Sequence, residues 1–227
     1  MIKEEFKLDN PIWYALSETH KEYAVEFNSC KFYKPEYSPF GGVGAVSNEP
    51  LAIDQYSKLT TSFYMVGGPP KISKNTKVII QLNGHQMISY KPLEVEIKES
   101  IVELKFEFQK KELFDLVNLV QPGFIRKKTA EMGTYFGIYA DGNLIAASGE
   151  RIQMNSYCEV SAVVTHPDFR NRGYAKQLLK RTTDKIFVDN KIPILHVDQR
   201  NLNAIKLYEQ LGFITRRKIG FCLLETI

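Results

Sequence analysis

The amino-acid sequence predicts a mixed α/β fold, and three observations carry that prediction. Apolar residues in the second half switch repeatedly between a period of two and a helical period. An Asp141-Gly142 pair separates two strand-like runs, as a hairpin turn with positive φ does. At 227 residues with 44% hydrophobic content, the chain can bury one large core or two small ones.

The first half is rich in turns. Asn10-Pro11 offers an N-cap and a first-turn proline, which predicts a short helix from Pro11 towards His20. Pro35, Pro39 and the run Gly41-Gly42-Val43-Gly44 mark a loop. A short helix follows Pro50, with Leu51, Tyr56 and Leu59 as its apolar positions, and strands are expected at 62–66 and 78–82. Alternation at Val95, Ile97, Val102, Leu104, Phe106 and Phe108 predicts a further strand. Leu113, Leu116, Val117 and Val120 then fall on one helical face, ended by Pro122-Gly123. A boundary near residue 105 divides the chain into 1–105 and 106–227, with no flexible linker between the halves.

In the second half, strands are expected at 134–139, 144–152 and 157–164. A helix begins near Gly173 with Ala175, Leu178, Leu179, Thr182 and Ile186 on one face. A strand at 193–197 and a helix at 201–211 follow, the helix ended by Gly212. Residues 213–224 supply the final strands.

Composition excludes several classes. The 30 basic and 26 acidic residues are interspersed, so no nucleic-acid face is expected, and Arg216-Arg217-Lys218 reads as a solvated strand end. The opening run Met1 to Lys7 lacks the apolar core of a secretory signal, and no apolar stretch reaches the roughly 20 residues of a membrane span. Cys30, Cys158 and Cys222 are odd in number and far apart, which argues against a disulfide framework and for a reducing cytoplasm. His20, His85, His166 and His196 show no metal-binding spacing.

The stretch Val163 to Ala175 is the most informative. A buried strand enters a tight loop, and the loop opens a helix whose unpaired amides and dipole attract anions. Gly173 allows close backbone approach, Asn171 tolerates a left-handed turn, and Arg170 and Arg172 add cationic donors, so a diphosphate fits here.

Arg170-x-x-Gly173-x-Ala175 resembles the signature of the GNAT superfamily of N-acetyltransferases, with His166-Pro167-Asp168-Phe169 ahead of it. Asn201-x-x-Ala204-x-x-x-Tyr208 followed by Leu211-Gly212-Phe213 resembles its second motif. The resemblance covers roughly residues 109 to 227. Gly149-Glu150-Arg151, Glu159-Val160-Ser161 and Leu195-His196-Val197 look like the branch related to the C-terminal domain of glycine N-acyltransferases. Asn171 departs from the glycine common in relatives. The first half holds no second copy of the loop, so a duplicated, degenerate GNAT-like first half would be one without a cofactor site.

The resemblance implies a GNAT acyltransferase fold: a mixed central sheet with helices on both faces, and a smaller N-terminal α/β half. Its cofactor is acetyl-CoA. The strands at 157–164 and 193–198 splay apart, and the pantetheine arm lies in the gap. Val163, Val164 and Thr165 then serve the arm through their backbone, with Asn201 opposite. Arg170, Asn171, Arg172, Gly173, Tyr174, Ala175 and Lys176 serve the diphosphate. Tyr208 takes the place of the general acid. Glu159 lies where relatives carry a strand carboxylate as base, and Glu150 is the second candidate. A partly dry cleft would raise the pKa of either. A salt bridge, for instance with Arg151, or a water chain in place of a base are the alternatives. Cys158 adjoins Glu159 on the opposite strand face and reads as a core thiol, so direct attack in a ternary complex is expected rather than a cysteine intermediate.

The expected partner is a small-molecule or peptide amine, without nucleic acid or membrane. A homodimer is compatible with the sequence, and no residue pattern specifies it. Two other classes compete. One is a non-catalytic acyl-CoA sensor that keeps the loop. The other is an interaction protein docking through Trp13, Tyr14, Phe32, Tyr33 and Tyr37. Gly42-Val43-Gly44 lacks the third glycine and following helix of a dinucleotide site.

Overall fold

Period-two segments from both halves of the chain join one sheet. The structure is a computed structural model that describes residues 4–45 and 48–227, so the first three residues of the opening run lie outside it. Along the chain come α1 (Pro11–Ser17), β1 (Ala24–Phe27), β2 (Cys30–Tyr33), β3 (Phe40–Val43), α2 (Glu49–Tyr56), β4 (Ser62–Gly67), β5 (Thr76–Ile88) and β6 (Ile101–Glu103). Then follow α3 (Glu107–Val120), β7 (Tyr135–Ala140), β8 (Asn143–Gln153), β9 (Tyr157–Thr165), α4 (Tyr174–Val188), β10 (Ile192–Asp198), α5 (Leu202–Gln210) and β11 (Ile214–Thr226).

Among the described residues the strand order is β1-β2-β3-β4-β11-β5-β10-β9-β8-β7-β6. The β3–β4 and β9–β10 pairs are parallel and the others antiparallel, so the sheet is mixed. β11 pairs with β4 on one side and β5 on the other, and β5 also pairs with β10. A division near residue 105 therefore crosses one continuous sheet.

Alternation along the strands places helices on both faces. Leu113, Leu116 and Val117 of α3 pack with Tyr135, Ala147 and Val164. Leu178 of α4 packs with the alternate residues Phe136, Ile138 and Ala146, while Leu179 and Ile186 meet Cys158 and Val160. Asp141 and Gly142, at φ 49° and 77°, close the β7–β8 hairpin as the dipeptide predicts.

Several expectations need correction. Only Ile101–Glu103 of the alternating run 95–108 joins the sheet. The Gln177 side chain accepts hydrogen bonds from the Lys98 and Glu99 amides at 2.7 and 2.9 Å, which ties that backbone to α4 instead. Gln109 accepts from the Lys105 and Phe106 amides at 2.9 and 3.1 Å, which starts α3 within the expected strand and leaves Phe106 and Phe108 exposed. The first helix stops at Ser17. Asn10 does not cap it and instead donates to the Val43 carbonyl at 2.6 Å. Leu51 and Leu59 are exposed; Ala52, Ile53 and Tyr56 form the buried face of α2. The final strands are one strand, β11. Arg216 is not a solvated end, since it pairs with Glu5 at 2.9 Å and with Asp9 at 2.8 Å.

Candidate active site

β9 and β10 begin as neighbours and then part. Tyr157, Cys158 and Glu159 pair with Ile192, Pro193 and Ile194, and the pairing ends there, although β9 continues to Thr165 and β10 to Asp198. A bulge turns β9 away. Ala162 and Val163 together oppose Ser148, and Ala162 takes a left-handed φ of 52°. Such a conformation costs an alanine about 1–2 kcal/mol, and the surrounding pairing of β8 and β9 holds it. Among the described residues, the β10-facing edge of β9 has no strand partner beyond Glu159.

A cavity of about 330 Å³ opens at this parting. Glu159, Val163, Asn201 and Tyr208, all expected at the site, line it together. Ser161, Ala162 and Val163 form one edge, and Leu195, His196 and Val197 the other. Tyr208 belongs to the cluster that includes Leu179 and Ile186 of α4, whereas Val117 and Tyr135 belong to the α3 cluster on the other face. Residues from both sheet faces thus border one space.

Glu159 is 1% exposed. Its carboxylate accepts Arg151 Nε at 2.8 Å and the terminal guanidinium nitrogen at 2.9 Å, and a third bond joins it to His196 Nδ1 at 2.8 Å. The raised pKa expected of a carboxylate in a dry cleft is not found. Burial alone would push it up, but the Arg151 charge and the bonds from His196 and Arg151 overcome burial and bring it to about 2. The salt bridge weighed as an alternative from sequence is therefore the arrangement present.

The His196 tautomer follows from its neighbours. Gln86 Nε2 donates to the Leu8 carbonyl at 2.8 Å, and Gln86 Oε1 accepts from Arg216 at 3.0 Å, so the amide has one satisfactory orientation. Its Nε2 lies 3.1 Å from His196 Nε2, which must accept, leaving Nδ1–H to donate to Glu159.

Glu150 is not brought to the cavity. It points to the face opposite Arg151, is 3% exposed, and accepts the Thr134 amide at 2.9 Å. Tyr208 is 8% exposed, and burial pushes its phenol up to about 12, so it stays protonated and able to donate at neutral pH. Asn201 caps α5 by accepting the Ala204 amide at 3.2 Å. The Cys158 thiol is fully buried and pushed well up by burial, which suits a core residue.

Val164 is buried in the α3 cluster, so its backbone is what it offers the gap; Thr165 is half-buried at the end of β9. The loop after β9 has the geometry its residues suggest. Asn171 and Gly173 are both left-handed, at φ 64° and 79°. Gly173 is the N-cap of the 15-residue helix α4, and among the described residues no side chain caps the first amides. Arg170, Asn171, Arg172 and Lys176 are exposed there, and Tyr174 and Ala175 half-buried. Arg172 lies over the Phe169 ring at 5.0 Å.

Sequence reasoning missed the roles of His196 and Gln86 and the cavity wall from α3 and its following loop. The parallel register supplies the His196 signal: Glu159 opposes Ile194, and residue 196 shares the face of 194. Among the described residues no cluster of His, Cys, Asp or Glu could hold a metal, and no helix is long and apolar enough to cross a membrane.

A family model described as FR47-like protein matches residues 135–221, the segment that carries the cavity and the loop. No curated protein matches the chain. A solved GNAT-family structure from Novosphingobium aromaticivorans is 30% identical, with 97% of this chain and 98% of that one covered and a TM-score of 0.86. A GCN5-related N-acetyltransferase from Kribbella flavida is 13% identical over 95% of both chains, with a TM-score of 0.60. A tandem GNAT protein from the clavulanic acid biosynthesis pathway is 12% identical, covers 86% of this chain and 78% of its own, and has a TM-score of 0.55. The last two share the fold. Full-length similarity to the Novosphingobium protein, together with the motif-bearing loop and the parted strands, establishes that the chain belongs to the GNAT family.

Proposed function

We propose that the protein is an acetyl-CoA-dependent N-acetyltransferase acting on a primary amine by direct attack in a ternary complex. The observation that carries this reading is the parting of β9 and β10 beyond Glu159, which opens a cavity bordered from both sheet faces, on the same strand that runs on through the loop to the glycine-capped start of α4. These features fit the cofactor: an extended arm can bond to the free strand edge, and a diphosphate can meet the amides and the Arg170, Arg172 and Lys176 side chains. When bound there, acetyl-CoA supplies the thioester that the amine attacks and the thiolate that leaves.

Val163, Val164 and Thr165 would hold the arm through their backbone, with Asn201 facing them. An amide at the Ala162–Val163 bulge would be placed to polarise an acyl carbonyl. Tyr208 would supply the proton for a departing thiolate. Glu159 and Arg151 position the cavity floor rather than accept a proton, because three hydrogen bonds already occupy the carboxylate. Water carries off the proton of the amine. The branch resembling glycine N-acyltransferases, a degenerate repeat in residues 1–105, and a cytoplasmic location accompany this reading as proposals.

Thiol release from acetyl-CoA in the presence of an amine tests the activity directly; CoA binding without release would favour the acyl-CoA sensor. Tyr208→Phe is expected to lower kcat about 100-fold, the scale of one general acid, with the CoA Kd unchanged by calorimetry. The pH profile supplies a separate check. Glu159 at about 2 and Tyr208 at about 12 leave neither group titrating between pH 5 and 9. The acid limb of kcat/KM should therefore move with the pKa of the acceptor amine. A limb fixed near one pH for amines of different basicity would restore an enzyme base.

A further inference from the structure

Resting on the acetyl-transfer reading, we infer that the acceptor is a compact primary amine whose remaining substituent is uncharged and apolar, of the arylalkylamine type. Acidic or polycationic acceptors are excluded by the charge pairing of the cavity.

Each charged side chain lining the cavity already has its countercharge or hydrogen-bond partner. Arg151 spends two nitrogens on Glu159 and gives a third to the Phe124 carbonyl at 3.1 Å. Its guanidinium also lies 4.7 Å from the Phe40 ring centroid. His196 is engaged at both ring nitrogens, by Glu159 and Gln86. At the rim, Asp198 takes both oxygens to Arg200 Nε at 3.0 and 3.1 Å. Among the described residues no lining charge is left over for a carboxylate or a second ammonium. An extra charge would enter a space where it finds no partner, and its desolvation would go uncompensated.

The other walls are uncharged, with apolar side chains standing beside the neutral polar Asn83, Gln121, Thr129, Ser161 and Asn201. Val117 and Ile125 come from α3 and its loop, Leu82 from β5 and Phe221 from β11. Phe124 is held in place by stacking on Tyr64, at 5.0 Å between centroids and 17° between planes. At about 330 Å³ the cavity is at the small end for ligand sites. Part of that volume lies in the strand gap, so the acceptor has room for a group about the size of one ring.

The test compares L-phenylalaninamide with L-phenylalanine, which share a ring and an α-amine and differ in one carboxylate. 2-Phenylethylamine and spermidine serve as further probes. Acetylation rates are expressed per concentration of unprotonated amine, and binding to the CoA-saturated protein is measured by calorimetry. The amide and phenylethylamine are expected to exceed phenylalanine and spermidine at least 100-fold in kcat/KM and in affinity. Equal or better performance by phenylalanine or spermidine overturns the inference, as does failure of the neutral probes to bind. Neutral probes that bind selectively without thiol release would support the specificity and refute the transfer reading. In folded Glu159→Gln protein, Arg151 is freed, and the amide-over-acid preference should fall at least 10-fold. An unchanged preference would overturn the charge-pairing argument, and if that variant does not fold, the unmodified protein decides.

Discussion

Replacing Gly173 with glutamate is expected to abolish CoA binding while leaving the fold intact. Gly173 sits at φ 79°, where a side chain costs about 1–2 kcal/mol. A new Cβ would also meet Lys176 Cε at 3.1 Å. The larger effect is charge: a carboxylate about 4 Å from a phosphate at an effective dielectric of about 20 costs about 4 kcal/mol. That repulsion weakens binding about a thousandfold, whereas the strain is present in free and bound protein alike and lowers stability instead. Calorimetric titration with CoA measures it, and Gly173→Ala, which adds the strain without the charge, should bind CoA nearly normally. Normal affinity in the glutamate variant would place the diphosphate elsewhere.

Replacing Glu159 with glutamine is expected to be the most destabilising single change at the site. It leaves the Arg151 guanidinium charged, 8% exposed and without its carboxylate. Breaking a buried pair by removing one partner costs about 3–5 kcal/mol. For a chain of this length that lowers Tm by about 6–20 °C. The pH dependence has a definite sign. Because the folded pKa of Glu159 is depressed to about 2, its contribution is fully present above the ordinary glutamate range. It is lost as pH falls from that range through about 2, and the variant should lack this part of the acid unfolding. Unchanged stability at neutral pH would show that the ion pair contributes nothing. Turnover in this variant is expected to fall without being lost, since the same carboxylate anchors both Arg151 and His196.

The second half of the molecule was legible because its signals are local. Asp141-Gly142, Asn171, Gly173 and Gly212 all adopt the positive φ their residue types favour, and each ends or begins an element where the periodicity changes. The left-handed turn of the loop and the place of Tyr208 on the cavity were readable for the same reason, each lying within one strand–loop–helix or helix–turn segment. Non-local features were not readable. Ala162 carries the bulge that separates the strands, yet nothing in its identity marks a left-handed residue. The Arg151–Glu159–His196–Gln86 chain draws on β8, β9, β10 and β5, and its geometry exists only once four strands are in register. The alternation at 95–108 misled because it shows which face is apolar, whereas Gln177 and Gln109 decide where that backbone finds its hydrogen bonds.

Activity, acceptor preference and both variants depend on where the pantetheine arm and diphosphate sit. A crystal structure of the protein with CoA tests this most directly. Diphosphate oxygens are expected about 3 Å from amides of residues 171–176, with the arm lying between β9 and β10 and bonded to the free edge of β9 beyond Glu159. CoA bound elsewhere, with that turn empty and the strand gap filled by protein side chains, would contradict it.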